Sequence, residues 1–443
     1  MSDLYSIGLS GVRAYQGALS TVSENIANAQ TPGYAKRVTT LQEFGTTAGG
    51  TTGSGVRVAG TYRTADLYRA ADVRRAGSDL ARTETSVSWL ERVETALSAD
   101  QVGQRITGFF NAATTLAADP SAATPRAQMI EAGRQVAYAF SATGRSLDAL
   151  TTELHASTGD AVATLNGLAG ALAKVNDQLA RAPAGTATNV LASDSRDQLL
   201  EQMSAIADTN VTIDALGRAS VRLGGATGPT LVAPDGAGTL SAAVGDTGSY
   251  AFAVDRGGEQ SAYAPAGGTL GGIADTAQRI ADTRTTLGQL ATDFAGAANA
   301  FQAAGRTLDG TPGTAFFTVA AGDATQLSLA LEDPRGIAAA APGGGVRDNA
   351  NLLSLAAVRT TAGYEGRATT LVGGNATALA SARTVATAQS AIRDGAVTRY
   401  DATAGVDLDN EAVDLMRYQQ AYQGCSRVIQ VGRECFQSLL DAT

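Results

Sequence analysis

Apolar and small residues recur every three or four positions from the first turn of the chain. Leu4, Gly8, Gly11, Tyr15, Ala18, Val22 and Ile26 share one stripe, with Ile7 at its edge. That spacing is the period of an α-helix and predicts one over residues 3–28. Gly8, Gly11 and Gly17 lie inside it, and each costs about 1 kcal/mol relative to alanine in a helix interior. Such a helix is marginal alone, so it needs a closely packed partner. Past Asn25 and Asn28 the pattern stops at Thr31-Pro32-Gly33-Tyr34. Proline presets φ there and glycine accepts a positive φ, which predicts a tight turn. Residues 35–65 alternate short β-like pieces with Gly/Thr loops and read as part of an extended, loosely packed arm over 31–65.

Helical periodicity returns from Gly77, with Leu80, Val87, Leu90 and Leu97, and again with Ile106, Phe109, Ala113 and Leu116. After Pro125 one stripe continues from Met129 through Phe140, Leu154 and Leu165 to Leu179, a length typical of bundles and rods. A shorter helix is expected over about 194–207. Residues 211–267 are rich in Gly, Thr and Val, with turns every eight to ten residues, which predicts a small β domain. Ile273, Ile280, Leu287, Phe294 and Phe301 then keep strict sevenfold spacing, and further helices are expected at about 349–360 and 375–396.

The final segment mirrors the first. Leu408, Leu415, Tyr422, Ile429 and Phe436 recur every seven residues, while Tyr418, Cys425, Gly432 and Leu439 occupy the second seam position. Asp407, Asp409 and Glu411 suit the positive end of a helix dipole over 406–440. The predicted fold is mainly α with a small β insert, in discontinuous nested domains. Residues 1–65 with 400–443 form an inner unit whose terminal helices pair as a coiled coil. Residues 66–210 with 268–399 form a helical-bundle body, and 211–267 form the outer β domain.

Composition narrows the function. The 443 residues are 44% hydrophobic with a net charge of −9, and Lys36 and Lys174 are the only lysines. An acidic chain without a basic stripe repels nucleic acid. No apolar run is long enough to span a bilayer, so no membrane insertion is expected. The N-terminus lacks the pattern of a cleaved secretory signal. Cys425 and Cys435 lie about 15 Å apart on one helix, too far for an internal bridge, and Cys425 reads as core. One histidine, His155, reads as a surface residue and leaves no multi-histidine metal site. Nucleotide, zinc-protease and hydrolase motifs are missing too. No enzyme, cofactor, metal or catalytic residue is expected.

"SENIANAQTPGYAKR" and "GVDLDNEAVDLMRYQQAYQGCSRVIQVGRECFQSLL" resemble the N- and C-terminal signatures of the bacterial flagellar axial family of rod, hook and hook-associated proteins. Asn25-Ile26-Ala27-Asn28, Thr31-Pro32-Gly33-Tyr34 and Tyr418-Gln419-Gln420-Ala421-Tyr422 carry that likeness. Asn410 and Gly424-Cys425 depart from the usual acid and alanines. "FQAAGRTLDGTPGTAFF", "LEDPRGIAAA" and "RDNANLLSLAAVR" resemble the hook-associated members at the hook–filament junction. The resemblance implies a secreted structural subunit, self-assembling into a junction ring through both seams and through Asn25, Asn28, Pro32, Gly33, Tyr34 and Gln419. Its implied partners are copies of itself, the hook protein below, a second junction protein above and an export chaperone. The long helical body argues against a hook or rod subunit, and a secreted helical adhesin or enzyme is the alternative from another class.

Overall fold

The sevenfold row Ile273, Ile280, Leu287, Phe294 and Phe301 becomes one buried edge of a helix at the centre of the body. The computed structural model describes residues 2–31, 33–43, 55–245 and 248–441, apart from the side chains of residues 2, 3 and 439. Pro32 and the Leu439 side chain, both expected at the interface, lie outside the described residues. In chain order the helices are α1 (Ser2–Asn28), α2 (Leu67–Ala99), α3 (Val102–Ala118), α4 (Ala123–Arg181), α5 (Ala187–Ile206), α6 (Gly268–Ala304), α7 (Ala350–Ala362), α8 (Tyr364–Ala404) and α9 (Leu408–Asp441). Helices α2, α4, α7 and α8 pack on α6, the helix that carries the sevenfold row.

Aromatic residues are scarce but gather in this core. The Phe109 ring lies 5.3 Å from those of Phe294 and Phe316, edge-on to both, and Phe316 and Phe317 lie 4.9 Å apart. The hairpin β10 (Phe317–Ala320) and β11 (Asp323–Leu329) closes over them. Arg126 is buried beside it and, among the described residues, forms no ion pair. Its guanidinium donates to the carbonyls of Pro120 at 2.6 Å, Pro334 at 3.1 Å and Ile337 at 2.9 Å. Burial holds its pKa below the usual arginine range.

Two antiparallel sheets make the insert: β3 (Thr209–Ile213), β4 (Ala219–Leu223), β5 (Thr230–Ala233) and β6 (Gly236–Ala237), then β7 (Thr239–Val244), β8 (Tyr250–Arg256) and β9 (Glu259–Tyr263). Val221, Leu231, Val232 and Phe252 share a core with Leu165, Leu172, Leu200, Met203 and Leu270 of α4, α5 and α6. His155 is not a surface residue. It is half-buried on α4, with Nδ1 2.9 Å from the Tyr250 hydroxyl, and helps seat the insert.

Three boundaries differ from the sequence reading. Helix α2 starts at Leu67 rather than Gly77, because Asp66 caps it, accepting from the backbone N–H of Tyr68 at 3.0 Å and Arg69 at 3.1 Å. Helix α5 starts at Ala187 rather than near Asp194, with Thr186 as its cap. Helix α8 starts at Tyr364 rather than 375, directly after Gly363 ends α7 at φ 58°. The arm is also ordered differently: β1 (Arg37–Glu43) and β2 (Val56–Arg63) form an antiparallel hairpin, with Val38 opposite Tyr62.

Candidate assembly interface

Helices α1 and α9 run antiparallel: Gly8 meets Ile429, Tyr15 meets Tyr418 with ring centroids 6.3 Å apart, and Asn25 meets Glu411. The glycines explain the closeness. A β-carbon at Gly11 would stand 2.5 Å from Cys425 Sγ, and one at Gly8 would stand 2.7 Å from Ile429 Cγ1. Cys425 is half-buried in this notch rather than a core residue, and both cysteines are free. A second face of α1 takes the hairpin. Thr21 and Thr39 hydroxyls lie 2.7 Å apart, and the Val56 N–H donates to Ser10 Oγ at 3.1 Å.

Asn25 ties four segments together. Its Nδ2 donates to Arg37 O at 2.8 Å and to Glu411 Oε2 at 3.0 Å, and its Oδ1 accepts from Tyr34 Oη at 2.8 Å and Arg37 N at 3.0 Å. Glu411 is 1% exposed and pairs through Oε1 with Lys36 Nζ at 2.7 Å. Its charge is therefore spent inside the unit and not on the helix dipole. Capping of α9 falls to Asp407, which accepts from the N–H of Asp409 at 3.0 Å and Asn410 at 3.2 Å. Burial pushes the Tyr34 phenol up to about 12, against the opposing pull of Arg37. Asn28 acts locally, donating to Glu24 O at 2.9 Å and accepting from Thr31 Oγ1 at 3.2 Å.

The expected site residues separate by position. Gly11, Ala18, Val22 and Asn25 are buried; Ile7, Tyr15, Asn28, Tyr34, Leu415, Tyr418, Tyr422 and Ile429 are half-buried; Leu4, Ile26, Gly33, Leu408, Gln419 and Phe436 are exposed. Lys36 and Glu411 were not among them. Glu411 stands in phase with Leu415, Tyr418 and Tyr422, so an acid in the apolar phase was the available signal.

Both helices also carry apolar residues on an outer face that the fold leaves open. On α9, Val413, Met416, Gln420, Gly424, Val428, Val431 and Cys435 fall within an arc of roughly 120° at helical spacing, which they share with Arg417, Arg427 and Glu434, and all are exposed. That arc lies about 140° around the helix from the seam toward α1. On α1, Tyr5, Leu9, Val12, Leu19 and Ile26 form the matching outer stripe, with Tyr5 and Ile26 exposed and the others half-buried. Among the described residues no helix is long and apolar enough to cross a membrane, and no three His, Cys, Asp or Glu side chains gather as a metal site.

A mainly helical body with a β insert, joined to a pair of terminal helices, is the architecture of a flagellar axial protein. The chain belongs to the flagellar hook-associated protein FlgK family, whose helical-domain model matches residues 90–317, a little over half of it. Its ends match models of the flagellar basal body rod protein over residues 6–34 and of the rod FlgEFG protein C-terminal region over 398–442. It is 30% identical to flagellar hook-associated protein 1 of Salmonella typhimurium over 72% of this chain and 60% of that protein. The namesake of Bacillus subtilis is 23% identical over 97% of this chain and 96% of its own length. The structure of the flagellar hook junction protein FlgK from Burkholderia pseudomallei shares the fold at a TM-score of 0.50 and 23% identity, over 56% of this chain and 47% of that one.

Proposed function

We propose that this chain is a structural subunit of the bacterial flagellum that joins hook to filament by assembling with copies of itself into a junction layer. One observation carries the reading: α1 of the same chain covers one face of α9, while Val413, Met416, Val428 and Val431 stay exposed on the opposite face among Arg417, Arg427 and Glu434. The sevenfold row of α9 is the covered one, with Leu415, Tyr422 and Ile429 half-buried against α1, so the outer residues are a second set that the fold leaves uncovered. Exposed apolar stripes of this kind mark surfaces that pair with another protein.

In this reading residues 1–65 with 400–443 form the inner unit, the helical body surrounds it, and the insert faces outward. The interface comprises the seam residues together with Asn25, Asn28, Pro32, Gly33, Tyr34 and Gln419. The hook protein lies below, a second junction protein lies above, and an export chaperone binds the chain before it is secreted. The FlgK match across the body favours this over a hook or rod subunit, whose models match the two ends. Its role is structural and requires no catalysis.

Deleting residues 405–443 tests the proposal. The truncated protein is expected to keep a cooperative thermal transition for the body, to stay monomeric in sedimentation at concentrations where the full chain associates, and to leave cells non-motile. Wild-type swimming by cells carrying that truncation would defeat it.

A further inference from the structure

We infer that α8 is a strap with a joint at Gly373-Gly374: residues 364–372 belong to the core of the body, whereas residues 375–404 peel from α2 and lose their helix as a unit. The two parts are held differently. Tyr364 stacks on Phe110 with ring centroids 6.2 Å apart and meets the Phe294 ring edge-on at 5.6 Å, and Arg367 pairs with Asp293 at 2.8 Å. Tyr364 and Ala368 are buried members of the main hydrophobic cluster, and Leu371 and Val372 pack against it. Beyond them, Asn375, Leu379, Ala396 and Ala404 are the buried residues of α8, and none of the four belongs to either hydrophobic cluster. Polar ties to α2 remain: Asn375 Nδ2 donates to Leu90 O at 3.2 Å and to Glu94 Oε2 at 2.7 Å, and Arg383 pairs with Glu91 at 2.7 Å. Two acceptors on this stretch, Asn375 Oδ1 and Gln389 Oε1, are buried and, among the described residues, lack a donor. Release hydrates both, which lowers the cost of opening. Segments with few buried apolar contacts are the ones that open locally.

The glycines mark where the opening stops. A β-carbon at Gly373 or Gly374 would have nothing within 4 Å, so packing demands neither residue. Two adjacent glycines are instead the weakest point a helix interior carries. Grooves of about 880 and 610 Å³ flank the helix here, and Leu371 lines both. Helix α2 does not follow the strap, because α6 holds it on another face. Arg82 donates to Asp275 and to Ala266 O, each at 2.8 Å, and a β-carbon at Gly272 would stand 2.4 Å from Arg82 O. With the strap released, α9 hangs from the core on a flexible tether that spans ~30 Å instead of the short joint at Gly405.

Hydrogen exchange of the full chain, read by mass spectrometry, tests the strap on body peptides alone, so the state of α1 and α9 in solution does not enter. Residues 376–392 are expected to exchange at least about tenfold faster than residues 364–372 once intrinsic rates are removed. Gly373→Ala/Gly374→Ala meets no clash and strengthens the helix across the joint, so it is expected to slow residues 376–392 at least about fivefold. Gly77→Ala, the same change on α2 and likewise into open space, is expected to leave them unchanged. Equal protection on the two sides of the joint would overturn the strap, as would a double variant that slows nothing. Equal slowing by Gly77→Ala would overturn it too, since α2 and α8 would then melt together.

Discussion

Gly11 illustrates how much one absent methyl group controls at the seam. Alanine there gains about 1 kcal/mol of helix propensity, but overpacking against Cys425 Sγ costs about 1 to 3 kcal/mol. Gly11→Ala is thus expected to speed amide exchange in α1, and adding Cys425→Ala, which removes the clashing sulfur, is expected to reverse that. Tyr34 makes the terminal unit sensitive to alkali. An ordinary tyrosine ionises near 10, whereas Tyr34 keeps its proton up to about 12. The unfolded chain therefore releases that proton first, and stability of the unit falls as pH rises from 10 to 12. Tyr34→Phe is expected to flatten that dependence in exchange measurements on α1, though it also removes the hydrogen bond to Asn25. The sequence revealed some of these residues and hid others. Asn25 and Asn28 were both expected at the interface, and the structure makes Asn25 a tie between α1, the turn, β1 and α9 while Asn28 bonds only within its own turn. Glu411 was misread because an acid in the first turn ordinarily serves the dipole, and only its phase with the seam betrayed the burial. Replacing Glu411 with Leu strands Lys36, so the unit is expected to lose on the order of 1 to 3 kcal/mol while the melting of the body stays put.

At the scale of elements, α6 and α9 carry the same heptad, buried throughout on α6 and only half-buried at Leu415, Tyr422 and Ile429 on α9. The pattern announces a helix and a stripe, but whether the stripe is covered depends on what else the chain can bring to it, and that is a property of the fold. The faces of α9 can be separated by charge. Val431→Glu, on the open face, is expected to leave stability within about 0.5 kcal/mol and to abolish association in sedimentation. Ile429→Glu, on the seam, is expected to release α1 in the monomer as well, read as lost protection from amide exchange. Other elements were harder to read. The first turns of α2 and most of α8 carry Ala, Thr and Arg on several faces, so their apolar period is faint and the caps alone mark where they begin. The β-like pieces of the arm were legible, with Val56, Val58 and Tyr62 alternating along β2, but not their pairing as a hairpin held to α1 by Thr21–Thr39 and Ser10–Val56.

For the whole molecule, the two additions to the body differ in kind. The β insert shares its core with α4, α5 and α6, so excising residues 209–263 and bridging the gap is expected to lower the melting temperature of the body, whereas removing the terminal helices is not. Composition and turn spacing revealed that an insert exists. They did not reveal its dependence on Leu165, Leu172 and Leu200, because contacts between segments distant in sequence leave no local mark. The antiparallel pairing of α1 with α9 carries one more implication. The first element of the chain can find its mate only after the last has been delivered, since Asn25 waits for Glu411 across nearly the whole polypeptide. The terminal pair therefore cannot close locally: it joins segments 386 residues apart, and the glycine notch of α1 has nothing to fill it until Cys425 and Ile429 arrive.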